Sequence, residues 1–256
     1  AVRDALKNGK RVLWICNTVA KAQAVFDELR KESNAATYHS RFKYRDRVDR
    51  HGDVIDAFED ENNGIGFCAV TTQVAEMSLD LNADLLISEV APMSALIQRL
   101  GRLNRRITTE NPGSPRMCLF LTPEKTKPYD ELELQLAEEW IKRLTSKNGA
   151  LTQADLAVCF NALSPQEELK LNLQCNWLDS GWFAEPEHIR DTGISVSVLM
   201  AEDMEACRAN SAEIIKRAIP MNYNARRMNG WREYKGHLIA PNDAIEYDAK
   251  TGAKLR

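Results

Sequence analysis

From Arg11 to Leu121 short apolar, β-branched runs alternate with longer amphipathic stretches, and this alternation constrains the fold more than any other feature of the chain. Val12 to Cys16, Ile65 to Val70, Ala83 to Ile87 and Met117 to Leu121 are continuous apolar runs, the pattern of strands buried on both faces, and a shorter run lies at Ala35 to Tyr38. Between them Ala22, Val25, Phe26 and Leu29 recur at helical spacing, and Val54, Ile55 and Phe58 repeat part of that stripe. Strand and helix in regular alternation predict βαβ units and a doubly wound parallel α/β sandwich over residues 1–122.

After Leu121 the pattern changes. Residues 123–150 hold a connector rich in Pro and Lys and one long helix, Tyr129 to Ser146, with Leu132, Leu136 and Trp140 at four-residue spacing. Residues 151–256 mix short helical pieces with Trp177, Trp182 and Trp231 and a last pair of strand-like runs near Ile239 and Ile245, which predicts a smaller α+β domain.

With 256 residues, 44% of them apolar, 34 basic side chains and 37 acidic ones, the chain can bury a sizeable core and does not fit collagenous, disordered or disulfide-scaffold classes. No apolar run reaches the ~18–20 residues of a membrane helix, and Ala1 to Lys10 is polar, so a cytoplasmic protein with no membrane partner is expected. Cys16, Cys68, Cys118, Cys159, Cys175 and Cys207 are scattered and form no Cys-x-x-Cys pair, which predicts reduced packing residues. Because the first residue is Ala, both a trimmed initiator Met and a segment of a longer protein fit.

Charge is concentrated locally. Arg41, Lys43, Arg45, Arg47 and Arg50 form one basic cluster, Arg99, Arg102, Arg105 and Arg106 a second, and Arg226, Arg227, Arg232 and Lys235 a third, interleaved with Tyr223, Trp231 and Tyr234. Local patches on a near-neutral chain point to discrete phosphate sites. On a helix, Leu96, Leu100 and Leu103 would share one face, with Gln98, Arg102 and Arg105 opposite. Two arginines anchored side by side make a rigid fork for anionic oxygens, although an exposed basic face paired with acids elsewhere has the same spacing.

The neighbouring residues favour the fork. Gln98-Arg99-Leu100-Gly101-Arg102-Leu103-Asn104-Arg105 resembles motif VI of superfamily-two helicases, and Thr71-Thr72-Gln73-Val74-Ala75-Glu76-Met77-Ser78-Leu79-Asp80 resembles motif V. Asn17-Thr18-Val19 resembles motif IV, and Tyr38-His39-Ser40-Arg41-Phe42 resembles the segment that follows it. Order and spacing are those of a second RecA-like domain, and with Ala91-Pro92 the set is most similar to the helicase-nuclease effector of type I CRISPR systems. The ending Tyr247-Asp248-Ala249-Lys250-Thr251-Gly252 is similar in style to that family's terminal hairpin.

The resemblance implies arginine fingers at Arg102 and Arg105, reaching the γ-phosphate of ATP across an interdomain cleft, and nucleotide contacts from Gln98, Arg99 and Asp80. It implies a grip on the backbone of single-stranded DNA by Asn17, Thr18, His39, Arg41, Thr71, Thr72 and Gln73. ATP and magnesium would be bound mainly by a first RecA-like domain absent from this chain, since the sequence holds no P-loop and no Asp-Glu-x-His box. His39, His51, His188 and His237 are isolated, with no His-Asp dipeptide, so no protein metal site and no nuclease domain is expected. The implied partners are single-stranded DNA, the first RecA-like domain and a CRISPR surveillance complex. On this reading the chain alone neither hydrolyses ATP nor cuts DNA. A non-enzymatic DNA- or partner-binding module from a split effector, or a fragment of an RNA helicase, are the other readings.

Overall fold

The computed structural model describes residues 2–31, 33–59, 64–77, 79–108, 110, 113–147, 149–164, 175–178, 181–184 and 195–256, the two short stretches 175–178 and 181–184 by backbone alone. Ser78, His188 and the side chains of Cys175, Trp177 and Trp182 lie outside the described residues.

The first part runs α1 (Val2–Lys7), β1 (Arg11–Ile15), α2 (Val19–Leu29), β2 (Ala35–Tyr38), α3 (Tyr44–Glu59), β3 (Phe67–Thr71), α4 (Val74–Met77), β4 (Leu85–Glu89), α5 (Met93–Leu100) and β5 (Met117–Leu121). The five strands form one sheet in the order β2-β3-β1-β4-β5, and every neighbouring pair is parallel. Side-chain alternation explains why these strands read as continuous apolar runs. Leu13, Ile15, Phe67, Ala69 and Leu86 point to one face, against Val54 and Phe58 of α3 and Ala75 of α4, while Val12, Cys16, Cys68, Val70 and Ile87 point to the other, against Leu6 of α1 and Ala22 and Phe26 of α2.

The connector leads into α6 (Glu131–Thr145), which packs against α7 (Gln153–Leu163). Asp130 caps α6 by accepting from the Leu132 amide, and Thr152 and Asp155 form a reciprocal capping box on α7. Leu134, Ala137, Trp140 and Leu144, not Leu132, make the buried stripe of α6, because the cap fixes the helix phase and leaves Leu132 in solvent. That stripe and Cys159 of α7 pack on Val90, Met93 and Leu96, so both helices continue the layer that holds α5.

Downstream come β6 (Cys175–Leu178), β7 (Gly181–Ala184), β8 (Ser195–Met200), α8 (Met204–Ala209), α9 (Ala212–Arg217), β9 (Ile219–Asn222), α10 (Ala225–Met228), β10 (Arg232–Tyr234), β11 (His237–Ala240), β12 (Ile245–Asp248) and β13 (Gly252–Leu255). A mixed sheet in the order β10-β11-β8-β9 forms this part's core, and β12 and β13 form a separate hairpin. The runs near Ile239 and Ile245 therefore belong to different sheets. The hairpin turns back onto the parallel layer: Ala253 N donates to Arg41 O at 2.8 Å, Gln23 Nε2 to Thr251 O at 2.7 Å, and Lys254 pairs with Asp27 at 2.6 Å. Gly252 sits at φ +73°, where a Cβ would lie 2.5 Å from Arg41 O, so only glycine allows this close approach.

Candidate nucleotide and nucleic-acid site

α5 does not extend through the arginine segment. Leu100 is its last residue, the Arg102 carbonyl accepts from the Ala83 amide at 2.8 Å, and Leu103 forms an isolated parallel bridge with Ala83. Asn104, at φ +51°, turns the chain outward, a conformation that asparagine tolerates. Pairing with the segment before β4 thus replaces the last helical turn, and Gln98, Arg102 and Arg105 do not share the helix face expected for them. Arg102 and Arg105 still converge by another route. Arg102 donates to the Glu76 carbonyl, Arg105 pairs with Asp80, and each guanidinium lies within the other's field.

The two arginines differ in exposure. Arg102 is buried and its Nε has no partner, whereas Arg105 and Asp80 are open to solvent. Burial and the Arg105 charge lower the pKa of Arg102 from its ordinary value, partly opposed by Asp80 and Glu76. A desolvated guanidinium with an unused N–H, beside an exposed one held by a single acid, suits an anionic ligand that can displace or bridge that acid. Gln98 is exposed on the neighbouring helical turn. No helix begins at Asp80, which excludes a helix-capping role for it and leaves it as the partner of Arg105.

Arg99 is interior and 0% exposed, so it presents nothing to a nucleotide at the surface of this domain. Its Nε donates to Glu76 at 3.0 Å, one terminal nitrogen to Ser88 Oγ at 3.0 Å and Glu89 O at 2.9 Å, and the other to Asn17 Oδ1 and Tyr129 Oη, each at 3.1 Å. Asn17, expected on DNA, is spent in the same network: its amide donates to Glu89 at 2.6 Å and its side chain to Val90 O at 2.8 Å. Gln73 Nε2 joins by donating to Asn17 O at 2.7 Å. The reason is topological. Asn17, Gln73 and Glu89 follow or end β1, β3 and β4, adjacent strands whose carboxyl ends meet where α5 packs over them. Sequence reading missed Glu76, Ser88, Glu89 and Tyr129. Glu89 left a trace as an acid ending an apolar strand, but Tyr129, thirty positions from Arg99, left none.

Of the remaining strand-end residues, Thr18 is exposed and caps α2 by accepting from the Lys21 amide at 3.2 Å. Thr71 and Thr72 are buried, and the Thr71 hydroxyl has no partner. His39 is also wholly buried, contrary to a place on an open DNA path: it stacks on Phe42 at 4.5 Å, its Nε2 meets Thr251 O at 3.1 Å, and burial lowers its pKa to about 3. The hairpin covers it. Arg41 is half-buried and has no acidic partner among the described residues. Among those residues no group of three or more His, Cys, Asp or Glu could hold a metal ion. No helix among them is long and apolar enough to cross a membrane.

Comparison with known proteins bears on the fold and the family. Residues 8–108 match the family model of the CRISPR-associated nuclease/helicase Cas3, C-terminal region. A CRISPR-associated nuclease/helicase Cas3 of Myxococcus xanthus is 40% identical over 261 aligned residues, covering 100% of this chain and 34% of the relative. The chain thus spans about a third of the length of that relative. The crystal structure of T. fusca Cas3 with ATP superposes with a TM-score of 0.72 at 21% identity, over 99% of this chain and 39% of that one. A chain in a structure of a CRISPR RNA-guided surveillance complex before nicking superposes with a TM-score of 0.65 at 19% identity, over 98% and 41%. Sequence similarity along the whole of this chain, together with a parallel RecA-like layer followed by a mixed-sheet domain, places it in the family of CRISPR-associated nuclease/helicases Cas3, whose C-terminal region it matches.

Proposed function

We propose that the chain is the trailing half of an ATP-driven DNA translocase. It would supply the arginine fingers Arg102 and Arg105, while a first RecA-like domain supplies the phosphate cradle and the magnesium. ATP, when bound, would supply the phosphate charge between the two domains. Arg102 and Arg105 would stabilise charge developing on the transferred phosphoryl group, with Gln98 beside the nucleotide and Asp80 holding Arg105 until the cleft closes. Arg99 is a positioning residue.

The observation that carries the reading is the span of α4. Its N-terminal side follows Thr71, Thr72 and Gln73 at the strand ends, and its far side offers the Glu76 carbonyl to Arg102 while the Glu76 carboxylate holds Arg99. A shift of the arginines toward phosphate would therefore pull on the strand ends where Thr18, Arg41 and nearby backbone amides could bind the backbone of a single strand without reading its bases. On this reading the protein works in the cytoplasm with a surveillance complex and is silent as an ATPase alone.

The test is DNA-stimulated ATP hydrolysis by this chain alone, then mixed with a P-loop domain from the same source, with Arg102→Ala and Arg105→Ala in parallel. Silence alone, turnover on mixing and a loss of roughly a thousand-fold or more in each variant are expected. Turnover that ignores both substitutions overturns the finger assignment, and silence in every mixture, with DNA or protein binding that ignores both substitutions, leaves a non-enzymatic binding module.

A further inference from the structure

The basic cluster that opens α3 is mostly neutralised within the chain. Lys43 is buried against Asp203 at 2.6 Å, Arg45 meets Asp46 at 3.2 Å, and Arg50 meets Asp53 at 3.2 Å. Arg41 and Arg47 are left with no acidic partner among the described residues. A guanidinium with no local counter-charge, at a site that holds compensating acids for its neighbours, is the feature expected of a contact with an external anion.

Arg47 lies in a groove of about 350 Å³ between the parallel layer and the C-terminal domain. One wall carries Tyr44 and Arg47 over a floor of Phe42, and the other carries Val196, Ile215 and Pro220. Tyr44 is 48% exposed and Ile215 68%, so the ring and the aliphatic side chain face solvent across the gap. The Arg47 guanidinium stands 5.6 Å from the Tyr44 ring centroid. This cation–π contact holds the charge beside the ring without neutralising it. A second groove, lined by Asn104, Arg106 and Arg116, lacks this character, because Arg106 pairs with Glu59 and Arg116 with Asp84.

A flat ring beside an uncompensated cation matches a nucleotide, which offers a π-face and a phosphate one sugar apart. The groove also lies at the β2 end of the row of strand ends, a few residues beyond Arg41. We propose that it is a stacking subsite for one base of a single-stranded nucleic acid, with Tyr44 against the base, Arg47 on the adjoining phosphate and Ile215 closing the apolar side. This deepens the strand-end reading above and rests on it. A strand crossing β1, β3 and β2 would be held at its margin by a ring that tolerates any base.

The experiment is fluorescence anisotropy of a labelled oligothymidylate against this chain over a range of salt, with Tyr44→Ala, Tyr44→Phe, Arg47→Ala and Arg41→Ala, each checked for an unchanged unfolding midpoint. Tyr44→Ala is expected to weaken binding roughly ten-fold and Tyr44→Phe to restore it. Arg47→Ala should lower the slope of log affinity on log salt by about 0.7, the loss of one phosphate contact on a single strand. Unchanged affinity in the Tyr44 and Arg47 variants, with loss in Arg41→Ala, overturns the subsite, spares the strand-end grip and leaves the groove to a polypeptide. No change in any variant, or no binding by the unmodified chain, overturns both the subsite and the strand-end grip, and leaves the ATPase comparison of Arg102 and Arg105 as a separate question.

Discussion

Arg99 and His39 are both fully buried, and both come from segments whose resemblance pointed to a ligand, but the protein accommodates them in opposite ways. Around Arg99 the ends of two strands, α4 and the connector supply acceptors for the guanidinium, including the Glu76 carboxylate at 3.0 Å. Around His39 there are one backbone carbonyl, that of Thr251, the Arg41 amide that donates to Nδ1 at 3.2 Å, and a stacked Phe42. The difference follows from chemistry. An arginine cannot shed its charge, so it can be interior only where the fold converges enough acceptors, whereas a histidine can lose its proton and pack as a neutral ring. The first region is therefore a fixed brace, and the second is a seam whose strength depends on conditions.

The largest effect should come from breaking the brace. Arg99→Leu removes the cation but leaves Glu76 buried, and should cost about 3–5 kcal/mol in denaturant unfolding. Arg99→Lys sharpens the point: it keeps the charge but loses the planar fork, and should recover only a minor part of that loss. A cost below about 1 kcal/mol in Arg99→Leu would mean that the network contributes little to holding α4.

Smaller effects should come from the seam. Gly252→Ala adds a Cβ at a left-handed position against the Arg41 carbonyl, and should cost about 2 kcal/mol through strain at that turn. Hydrogen exchange should show faster exchange confined to β12, β13 and the Arg41 region, with β1 and β4 unchanged. Acid should act on the same place. Because burial lowers the folded pKa of His39 to about 3, the unfolded chain binds the proton first as pH falls. The stabilisation from the neutral ring is thus complete above about pH 6.5 and declines toward pH 3, by up to about 1.4 kcal/mol per pH unit. The nearby Arg41 and Lys254 charges act in the same direction, as both disfavour the imidazolium. His39→Phe should flatten the His39 part of that acid dependence.

What the sequence reveals and what it conceals divide along the same lines. β1, β3 and β4 were legible because a strand buried on both faces needs apolar residues at nearly every position, and their shortness separates them from buried helices, whereas β5 shows the same apolar run but lies at the sheet edge with Met117 and Leu121 exposed, not buried on both faces as expected. The arginines were found, but the helix that was to carry Arg102 and Arg105 was not, because the Ala83 amide captures the Arg102 carbonyl and nothing local in the sequence records that pairing. Leu132 misled for a related reason: a four-residue apolar spacing does not say which residue the cap leaves outside. His39 was placed on an open path because the β-hairpin that covers it lies more than two hundred residues downstream.

Tyr129 is the sharpest case, and its removal should have the smallest effect. It ends the connector just before α6, and its hydroxyl accepts from Arg99 at 3.1 Å and from Gln73 at 3.3 Å. No motif marks it, yet it is the contact through which the α6–α7 pair reaches both the arginine brace and the strand end. Tyr129→Phe keeps the buried ring and removes only the hydroxyl. Arg99 and Gln73 each retain a bond to Asn17, so neither donor is stranded, and the loss of stability should be about 1 kcal/mol. If the hydroxyl only fills space, the variant should change nothing else. If it ties α6 to the strand ends, amide exchange should rise together in Asn17, Gln73 and the first turn of α6, at a denaturant midpoint barely moved. Unlinked exchange in those three places would reduce the brace to a local device of the parallel layer, with the C-terminal helices resting on it by apolar contact alone.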